Sequence, residues 1–230
     1  MALESCLTLN CHAVKQHITW IARNCFYHLR QIRRVVGEDV TSQLISVFVL
    51  SRLDYCNSLL AGLPRTSVEP LQRVQNAAAR LVLNLGLRDH VTPALKQLHW
   101  LPVEHRIKQK SCTLMHQIHT GRAPRWLAHS VQSIAESSCR PGLWSANTAN
   151  YIKRRTRTKF GQRCLSHTGS AAWNPYLTAL RCLSHTGSAA WNPYLTALCL
   201  PLIPIDLKNL LKSQLFYLAF WQLLAPLNIL

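Results

Sequence analysis

The sequence predicts a mainly α fold, in which a helix-bundle-like region over residues 1–136 is followed by a basic irregular segment, 137–162. Apolar residues recur at steps of three and four through the first 125 residues, and glycine and proline separate these periodic runs. After about residue 137 the composition turns to Ser, Arg, Pro, Gly, Thr and Asn. A tandem duplication, 163–198, and a C-terminal helix and tail, 199–230, complete the predicted organisation.

The first predicted helix covers His12–Val36 and ends at Gly37, because glycine readily adopts the left-handed conformation past a helix end. Its apolar residues form a single stripe, which consists of Val14, Ile18, Ile21, Cys25, Leu29, Ile32 and Val36. Arg23, Arg30 and Arg34 lie off this stripe, so we expect them on the solvent side.

A second helix is predicted over Asp39–Ala61 and ends at Gly62 and Pro64. Its expected inner stripe is Val40, Leu44, Val47, Ser51, Tyr55 and Leu59. Asp54 lies on this helix between apolar residues, and we expect it to form a structural hydrogen bond or ion pair rather than to act as a catalytic acid.

A third helix is predicted from about Val68 to Leu85, with Pro70 in its first turn. The residues expected to face inward are Leu71, Val74, Ala78 and Leu81. The polar residues expected to face elsewhere are Gln72, Arg73, Gln75, Asn76 and Arg80.

Prolines and glycines mark the helices that follow. Thr92 and Pro93 are predicted to be the N-cap and the first helical residue of the next helix. Pro102 opens another helix, which Gly121 closes, and Trp100 is predicted to be a buried anchor at this helix junction.

The chain carries a net charge of +17, from 26 Lys and Arg against nine Asp and Glu. Residues 105–163 hold 12 of these cations and one acid, Glu136. Such a balance indicates an anionic partner, most often nucleic acid and less often a membrane surface. The densest cationic run is predicted to contact phosphates and consists of Lys153, Arg154, Arg155, Arg157 and Lys159. A solvated loop or a nuclear-localisation patch is the alternative, and Tyr151 and Phe160 either stack on bases or anchor the loop.

Other candidate site residues lie on the helix that Pro102 opens. Arg106 and Lys110 are four residues apart, so they can line a single groove for phosphates, with a solvated face as the alternative. His116 and His119 are three residues apart, but without nearby carboxylates we assign them no metal or acid–base role.

The chain has nine cysteines, and no secretory signal precedes the periodic helices. We therefore expect reduced thiols in an intracellular protein, nuclear or cytoplasmic or both. The longest apolar candidate for a membrane span lies in the predicted final helix, Asp206–Gln222, and falls short of about 18 residues.

Residues 163–180 and 181–198 both read RCLSHTGSAAWNPYLTAL. The pattern Cys164-x-x-His167 therefore recurs as Cys182-x-x-His185, which has the spacing of a zinc pair. Two identical copies are more simply explained by a recent DNA-level duplication of one Cys and one His, or by an error in assembling a repetitive locus, than by a zinc site. Solenoids need three or more stacked units, so we expect one copy to pack and the other to loop out.

Several stretches together closely resemble the region that follows the polymerase palm in non-LTR retrotransposon reverse transcriptases of the jockey-like and chicken-repeat-like clades. They are CFYHLRQIRR (25–34), SRLDYCNSLLAGLP (51–64), LQRVQNAAARLV (71–82), DHVTPALKQLHWLPVEHRI (89–107) and GRAPRWL (121–127). GQRCLSHTGSAAWN and DLKNLLKSQLFYLAF resemble the closing segment of the same family, with its Trp-Asn pair. The resemblance covers about residues 10–220, apart from one repeat copy.

The resemblance implies a thumb and C-terminal region that grips RNA template and nascent DNA. The family's palm holds two metal ions with an aromatic-x-Asp-Asp turn, whereas the aspartates here are Asp39, Asp54, Asp89 and Asp206, none adjacent to another. We therefore expect no polymerase activity and no cofactor, since the Mg²⁺ ions belong to the palm. The expected partners are RNA or an RNA–DNA hybrid and, in addition, a palm-containing polymerase fragment, with no membrane.

Three alternatives remain open at the level of sequence. The first is a truncated, duplicated open reading frame that is a non-functional transposon relic. The second is an interaction module whose apolar helices pair with a separate polymerase fragment. The third is a membrane-surface protein that uses 207–225 as an amphipathic helix, and it ranks last because Lys208 and Lys212 are the segment's only cations.

Overall fold

The computed structural model describes residues 11–35, 38–86, 88–137, 150–158, 161–186, 211–213, 215–216 and 219–220. Its helices are α1 Cys11–Val35, α2 Glu38–Ile45, α3 Ser51–Asp54, α4 Arg65–Val82, α5 Val91–Gln97, α6 Val103–His119, α7 Arg125–Ala128, α8 Ile134–Ser137 and α9 Leu165–Thr186. The β structure of the described ranges is one antiparallel bridge between Ser133 and Tyr151. The prediction of a mainly α fold is therefore confirmed. Within these same ranges, no helix combines the length and apolar character needed to cross a membrane.

The chain forms two compact units, one of residues 1–107 and 213–230 and the other of residues 108–212. In the first unit, α1 packs against α2 and α4. The predicted stripe of α1 is buried at each position whose side chain is described, namely Val14, Ile18, Ile21, Cys25, Leu29 and Ile32. Val36 and Gly37 lie outside the described residues.

The single helix predicted over Asp39–Ala61 is wrong. A π-helical segment, Ser46–Leu50, joins α2 to α3, the helix ends at Asp54, and Cys56 then adopts a left-handed backbone with φ +52°. The residues that are buried in this range are Thr41, Ile45, Val49, Leu50, Leu53, Asn57, Leu60 and Ala61.

The predicted inner stripe of this region is wrong as well, because Val47 and Tyr55 are 62% and 67% exposed. The segment is apolar on more than one side, so periodicity alone did not identify the buried side. The π turn contains more residues than an α-helical turn, and the buried residues Ile45, Val49 and Leu53 follow one another four residues apart.

The α4 helix begins three residues earlier than predicted, after Pro64, so Pro70 lies inside it rather than in its first turn. The prediction that Gln75 faces away from the core is also wrong, because its side chain is fully buried. Gln75 Nε2 donates to the Leu101 carbonyl at 2.7 Å, and Gln72 Oε1 accepts from the Val103 N–H at 2.9 Å. Gln72 thereby satisfies a backbone N–H that the N-terminus of α6 leaves without an intrahelical partner, and Gln75 supplies a donor to the carbonyl of Leu101 just before that helix.

The junction before α6 confirms part of the sequence analysis. Trp100 is buried there as predicted, and Gly121, with φ +69°, follows the end of α6. The expected N-cap at Thr92 is wrong, because α5 begins at Val91 and its N-cap residue, His90, makes no side-chain capping bond.

The second unit has its own core, made of Cys112, Met115, Val131, Tyr151, Trp173, Tyr176 and Leu211. Within it, α9 comes close to Met115 at Gly169, where a Cβ atom would lie 2.8 Å from the Met115 sulfur. A glycine at this position therefore permits the close packing of this core.

The α9 helix runs across the junction between the two copies of the duplication. Residues 181–186 of the second copy continue the helix instead of looping out, and residues 187–198 lie outside the described part. In the predicted final helix, Asp206–Gln222, the described residues 211–213, 215–216 and 219–220 are helical.

The cysteines whose state the structure gives are free thiols: Cys25, Cys56, Cys112 and Cys164. Cys25 and Cys112 are buried in the two cores. Burial raises the pKa of Cys25 to about 11 and that of Cys112 to about 12.

Candidate nucleic-acid interface

The predicted cationic run begins on an extended segment of the second unit. Tyr151 is buried and forms the antiparallel bridge to Ser133. The Ile152 N–H donates to the Gln132 carbonyl at 2.9 Å, and the Ile134 N–H donates to the Asn150 carbonyl at 3.0 Å. This short ladder fixes the N-terminal end of the segment.

The side chain of Asn174, on α9, holds the opposite side of the same segment. The Tyr151 N–H donates to Asn174 Oδ1 at 3.0 Å, and Asn174 Nδ2 donates to the Tyr151 carbonyl at 2.9 Å. Next to Asn174, Trp173 is buried in the core of this unit. The Trp-Asn pair of the first copy thus combines an apolar anchor with a clamp on the backbone.

The Tyr151 side chain takes the anchoring role and not the stacking role that the sequence left open. Its ring packs edge-on against His119, with ring centroids 6.2 Å apart, and its hydroxyl lies 3.3 Å from His119 Nδ1. Phe160, the other aromatic residue considered for stacking, lies outside the described residues.

The far end of the segment closes in a tight turn around Gly161. A Cβ atom there would lie 3.0 Å from the Thr156 Cβ, so the close approach favours glycine. The Gly161 N–H donates to Thr158 Oγ1 at 3.0 Å, and the Gln162 N–H donates to the Thr158 carbonyl at 3.2 Å. The described stretch from Tyr151 to Thr158 is therefore held at both ends.

The cations of the run project from this held stretch into solvent. Those that the structure describes are all exposed: Lys153, Arg154, Arg155 and Arg157. The ion pairs Asp54–Arg106 and Glu69–Arg73 lie on other segments of the described chain and involve none of these cations. Lys159 lies outside the described residues.

An open cavity of about 550 Å³ adjoins the run, and Arg154 lines it together with His119, His129 and Tyr151. Burial of the ring lowers the pKa of His119, so at neutral pH the imidazole is uncharged. The cavity therefore places an arginine beside aromatic, polar and apolar side chains.

Arg106 and Lys110, the predicted groove, have different surroundings on α6. The Arg106 guanidinium forms a two-point ion pair with Asp54, with Nε–Oδ1 and Nη2–Oδ2 distances of 2.8 and 2.6 Å, and its side chain is only 15% exposed. Lys110 is exposed. The expectation of a structural ion pair for Asp54 is confirmed, with Arg106 as the partner, and most of the Arg106 charge is compensated within the chain.

The structure describes the first half of the duplicated Cys-x-x-His pattern. Cys164 directly precedes α9, His167 lies in its first turn, and both are half-buried, whereas the side chains of Cys182 and His185 lie outside the described residues. Within the described part, no group of three or more His, Cys, Asp or Glu side chains is placed to hold a metal ion. The preference for a duplicated pair over a zinc site stays a prediction.

Sequence reasoning did not single out the Asn174 clamp. Its one signal was the Trp-Asn pair in the stretch that resembles the closing segment of the retrotransposon polymerases. The chain matches no protein-family model, no curated protein and no solved structure.

Proposed function

We propose that this chain binds RNA, alone or hybridised to DNA, without sequence preference, as a thumb and C-terminal region of a non-LTR retrotransposon reverse transcriptase. The single observation that carries the proposal is the exposed cationic run on a segment held at both ends. Its described members are Lys153, Arg154, Arg155 and Arg157. We expect Lys159 to extend the run and Lys110 to add a weaker contact.

The charge and the fixed position of the run determine how it can bind nucleic acid. Cations on a held segment are positioned before binding, so less conformational entropy is lost when phosphates dock. Four phosphate contacts release counterions and give a slope of log affinity against log salt of about −3 for a single strand. Phosphate contacts carry no sequence information, which is why we propose binding without sequence preference.

The resemblance supplies the biological setting of the proposal. A thumb grips template and product while a palm performs the chemistry, and these 230 residues contain no pair of adjacent aspartates that could serve as that palm. We therefore propose that the chain has no polymerase activity by itself, needs no cofactor and acts inside the cell. Primer extension by the purified chain above a mock preparation would contradict this part.

The decisive experiment measures binding of the full chain to single-stranded RNA and to an RNA–DNA hybrid across a salt series. The test variant carries Lys153→Gln, Arg154→Gln, Arg155→Gln and Arg157→Gln. The matched control removes the same charge from exposed cations elsewhere, through Arg65→Gln, Arg73→Gln, Arg88→Gln and Lys212→Gln. We expect the test variant to bind at least tenfold more weakly, with a flatter salt slope, and the control to change little. Equal losses in both variants would show an effect of net charge alone and would contradict the assignment to the run.

A second candidate function is pairing with a palm-containing polymerase fragment. It is favoured by apolar side chains that the first unit leaves exposed, among them Val40, Val47 and Tyr55. Co-purification of such a fragment with the chain, lost on Val47→Ser, would support this candidate.

A further inference from the structure

The outward face of α1 carries aromatic and basic side chains in alternation. Trp20, Arg23, Tyr27 and Arg30 follow one another at steps of three, four and three, which places them on one side of the helix. This side lies opposite the buried stripe that contains Ile18, Ile21 and Cys25 among others. We name these four residues the aromatic–basic stripe.

The two aromatic rings of the stripe are unusually accessible, since Trp20 is 57% and Tyr27 is 59% exposed. Arg23 and Arg30 are exposed beside them. From α3, the Arg52 guanidinium lies 5.9 Å from the centroid of the Trp20 ring. A third cation therefore stands at the Trp20 end of the stripe.

The charge of α1 indicates the class of ligand. Its 25 residues include five Lys and Arg and no Asp or Glu. A polyanion with flat, stackable groups complements this surface on both counts, because its phosphates meet the arginines and its bases meet the rings.

From this complementarity we infer that the aromatic–basic stripe is a second binding surface, specific for single-stranded nucleic acid. Bases stack on Trp20 and Tyr27, the phosphate between them contacts Arg23, and the next phosphate contacts Arg30. The inference rests on the proposed function, because it assigns the single-stranded part of the same ligand to a surface distinct from the cationic run.

The geometry favours a single strand over a duplex. Bases in a duplex are already stacked on each other, so exposed aromatic rings gain contacts only with unstacked bases. From Trp20 to Arg30 the stripe spans ten residues, or about 15 Å, which is long enough to contact a few nucleotides of a single strand.

The test uses the full chain and a 12-nucleotide oligouridine RNA, with a 12-base-pair RNA–DNA hybrid as the second probe. The Trp20→Ala/Tyr27→Ala variant is expected to bind oligouridine at least tenfold more weakly, with an unchanged salt slope, because stacking releases no counterions. Arg23→Gln/Arg30→Gln is expected to flatten the slope by about 1.4, at about 0.7 per phosphate contact. Binding of the hybrid is expected to change less than twofold in the aromatic variant.

Two matched variants accompany this comparison. Trp20→Phe/Tyr27→Phe keeps the stacking surfaces and is expected to bind oligouridine within threefold of the unmodified chain. Trp126→Ala removes an aromatic side chain of similar exposure, 47%, from the other unit and is expected to leave the affinity unchanged. A tenfold loss in Trp126→Ala would overturn the assignment to the stripe.

The remaining outcomes separate this inference from the proposed function. The aromatic variant can bind oligouridine as well as the unmodified chain while the variant with four Gln substitutions in the run loses affinity. In that case the binding role of the stripe is refuted and the proposed function stands. If the unmodified chain binds neither probe in a salt-dependent way, both are refuted. If RNA affinity is unchanged but the aromatic variant loses self-association in sedimentation, the occupant is a second copy and the inference is overturned.

Discussion

Asn174 pairs with the backbone of Tyr151 through both polar groups of its side-chain amide, at 3.0 and 2.9 Å. Opposite this contact, the residues on either side of Tyr151 pair with the backbone around Ser133. Asn174 thus acts as a single-residue substitute for a neighbouring strand. The position of the cationic run depends on this contact, because the run begins two residues after Tyr151.

Replacement of Asn174 by alanine is expected to destabilise the chain and to weaken RNA binding. Two backbone groups lose their partners, and at about 1 kcal/mol for each hydrogen bond the free energy of unfolding should fall by about 2 kcal/mol. Urea denaturation followed by circular dichroism measures this change. The duplication supplies a control of identical local sequence in Asn192→Ala, which we expect to have less than half the effect. Equal effects of the two variants would contradict the specific role of Asn174.

Asp54→Asn is expected to lower the free energy of unfolding by about 1 kcal/mol. Arg106 and Asp54 are 52 residues apart in sequence, so their two-point ion pair links distant parts of the first unit. Two-point Arg–carboxylate pairs lie at the strong end of the range for partly exposed pairs. Glu69→Gln is the control, because it breaks the well-exposed pair with Arg73 within one helix and should cost no more than about 0.5 kcal/mol. A double-mutant cycle with Arg106→Gln that returns no coupling would contradict the role of the pair.

Gln75→Ala is expected to lower the free energy of unfolding by about 3 kcal/mol. The change leaves the Leu101 carbonyl without its 2.7 Å donor and opens a cavity in the core. The exposed helical residue Gln43 provides the control, since Gln43→Ala should be neutral within about 0.5 kcal/mol. Chemical denaturation of the unmodified chain and of the two variants measures these changes in the free energy of unfolding. Equal midpoints for Gln75→Ala and Gln43→Ala would contradict the prediction.

Stability is expected to fall as the pH is lowered through the ordinary histidine range. Burial, with smaller contributions from His119 and Arg122, lowers the pKa of His116 below its ordinary value of 6.5, and burial also lowers the pKa of His119. Below about pH 6.5 the unfolded chain therefore binds more protons than the folded chain, and this difference favours unfolding.

Urea midpoints at pH 7.5 and pH 5.5 measure this effect. The His116→Gln/His119→Gln variant should show a smaller difference between the two midpoints than the unmodified chain. The exposed residue His90 provides the control, and His90→Gln should leave the difference unchanged. An identical pH dependence in all three proteins would exclude these two histidines as its source.

The helical fold could be predicted where one apolar stripe dominates a segment, as in α1. The prediction failed between Glu38 and Leu60, because that segment is apolar on several sides and bends through a π turn and a left-handed residue, Cys56. Gln75 was misplaced for a related reason: a polar residue is buried when a distant backbone carbonyl needs a donor, and that need arises only in the folded chain.

The candidate site was predictable in part. A dense run of lysine and arginine is visible in any sequence. Its described members, Lys153, Arg154, Arg155 and Arg157, are exposed in the structure. The partners that hold the run are not visible, because Asn174 lies 23 residues after Tyr151 and its role depends on how α9 packs. Similarly, the pairing of Arg106 with Asp54 arises from tertiary contacts between residues that are far apart in sequence.

The course of α9 through the duplication has a consequence for how a chain can absorb such an insertion. Each copy is 18 residues long, and at about 3.6 residues per turn this is five complete turns. Leu165–Thr168 and Leu183–Thr186 therefore occupy the same angular positions about the helix axis, displaced by about 27 Å. As far as the helix is described, a second copy of this length therefore lengthens it without rotating its faces, and equivalent residues of the two copies differ by a translation along the axis.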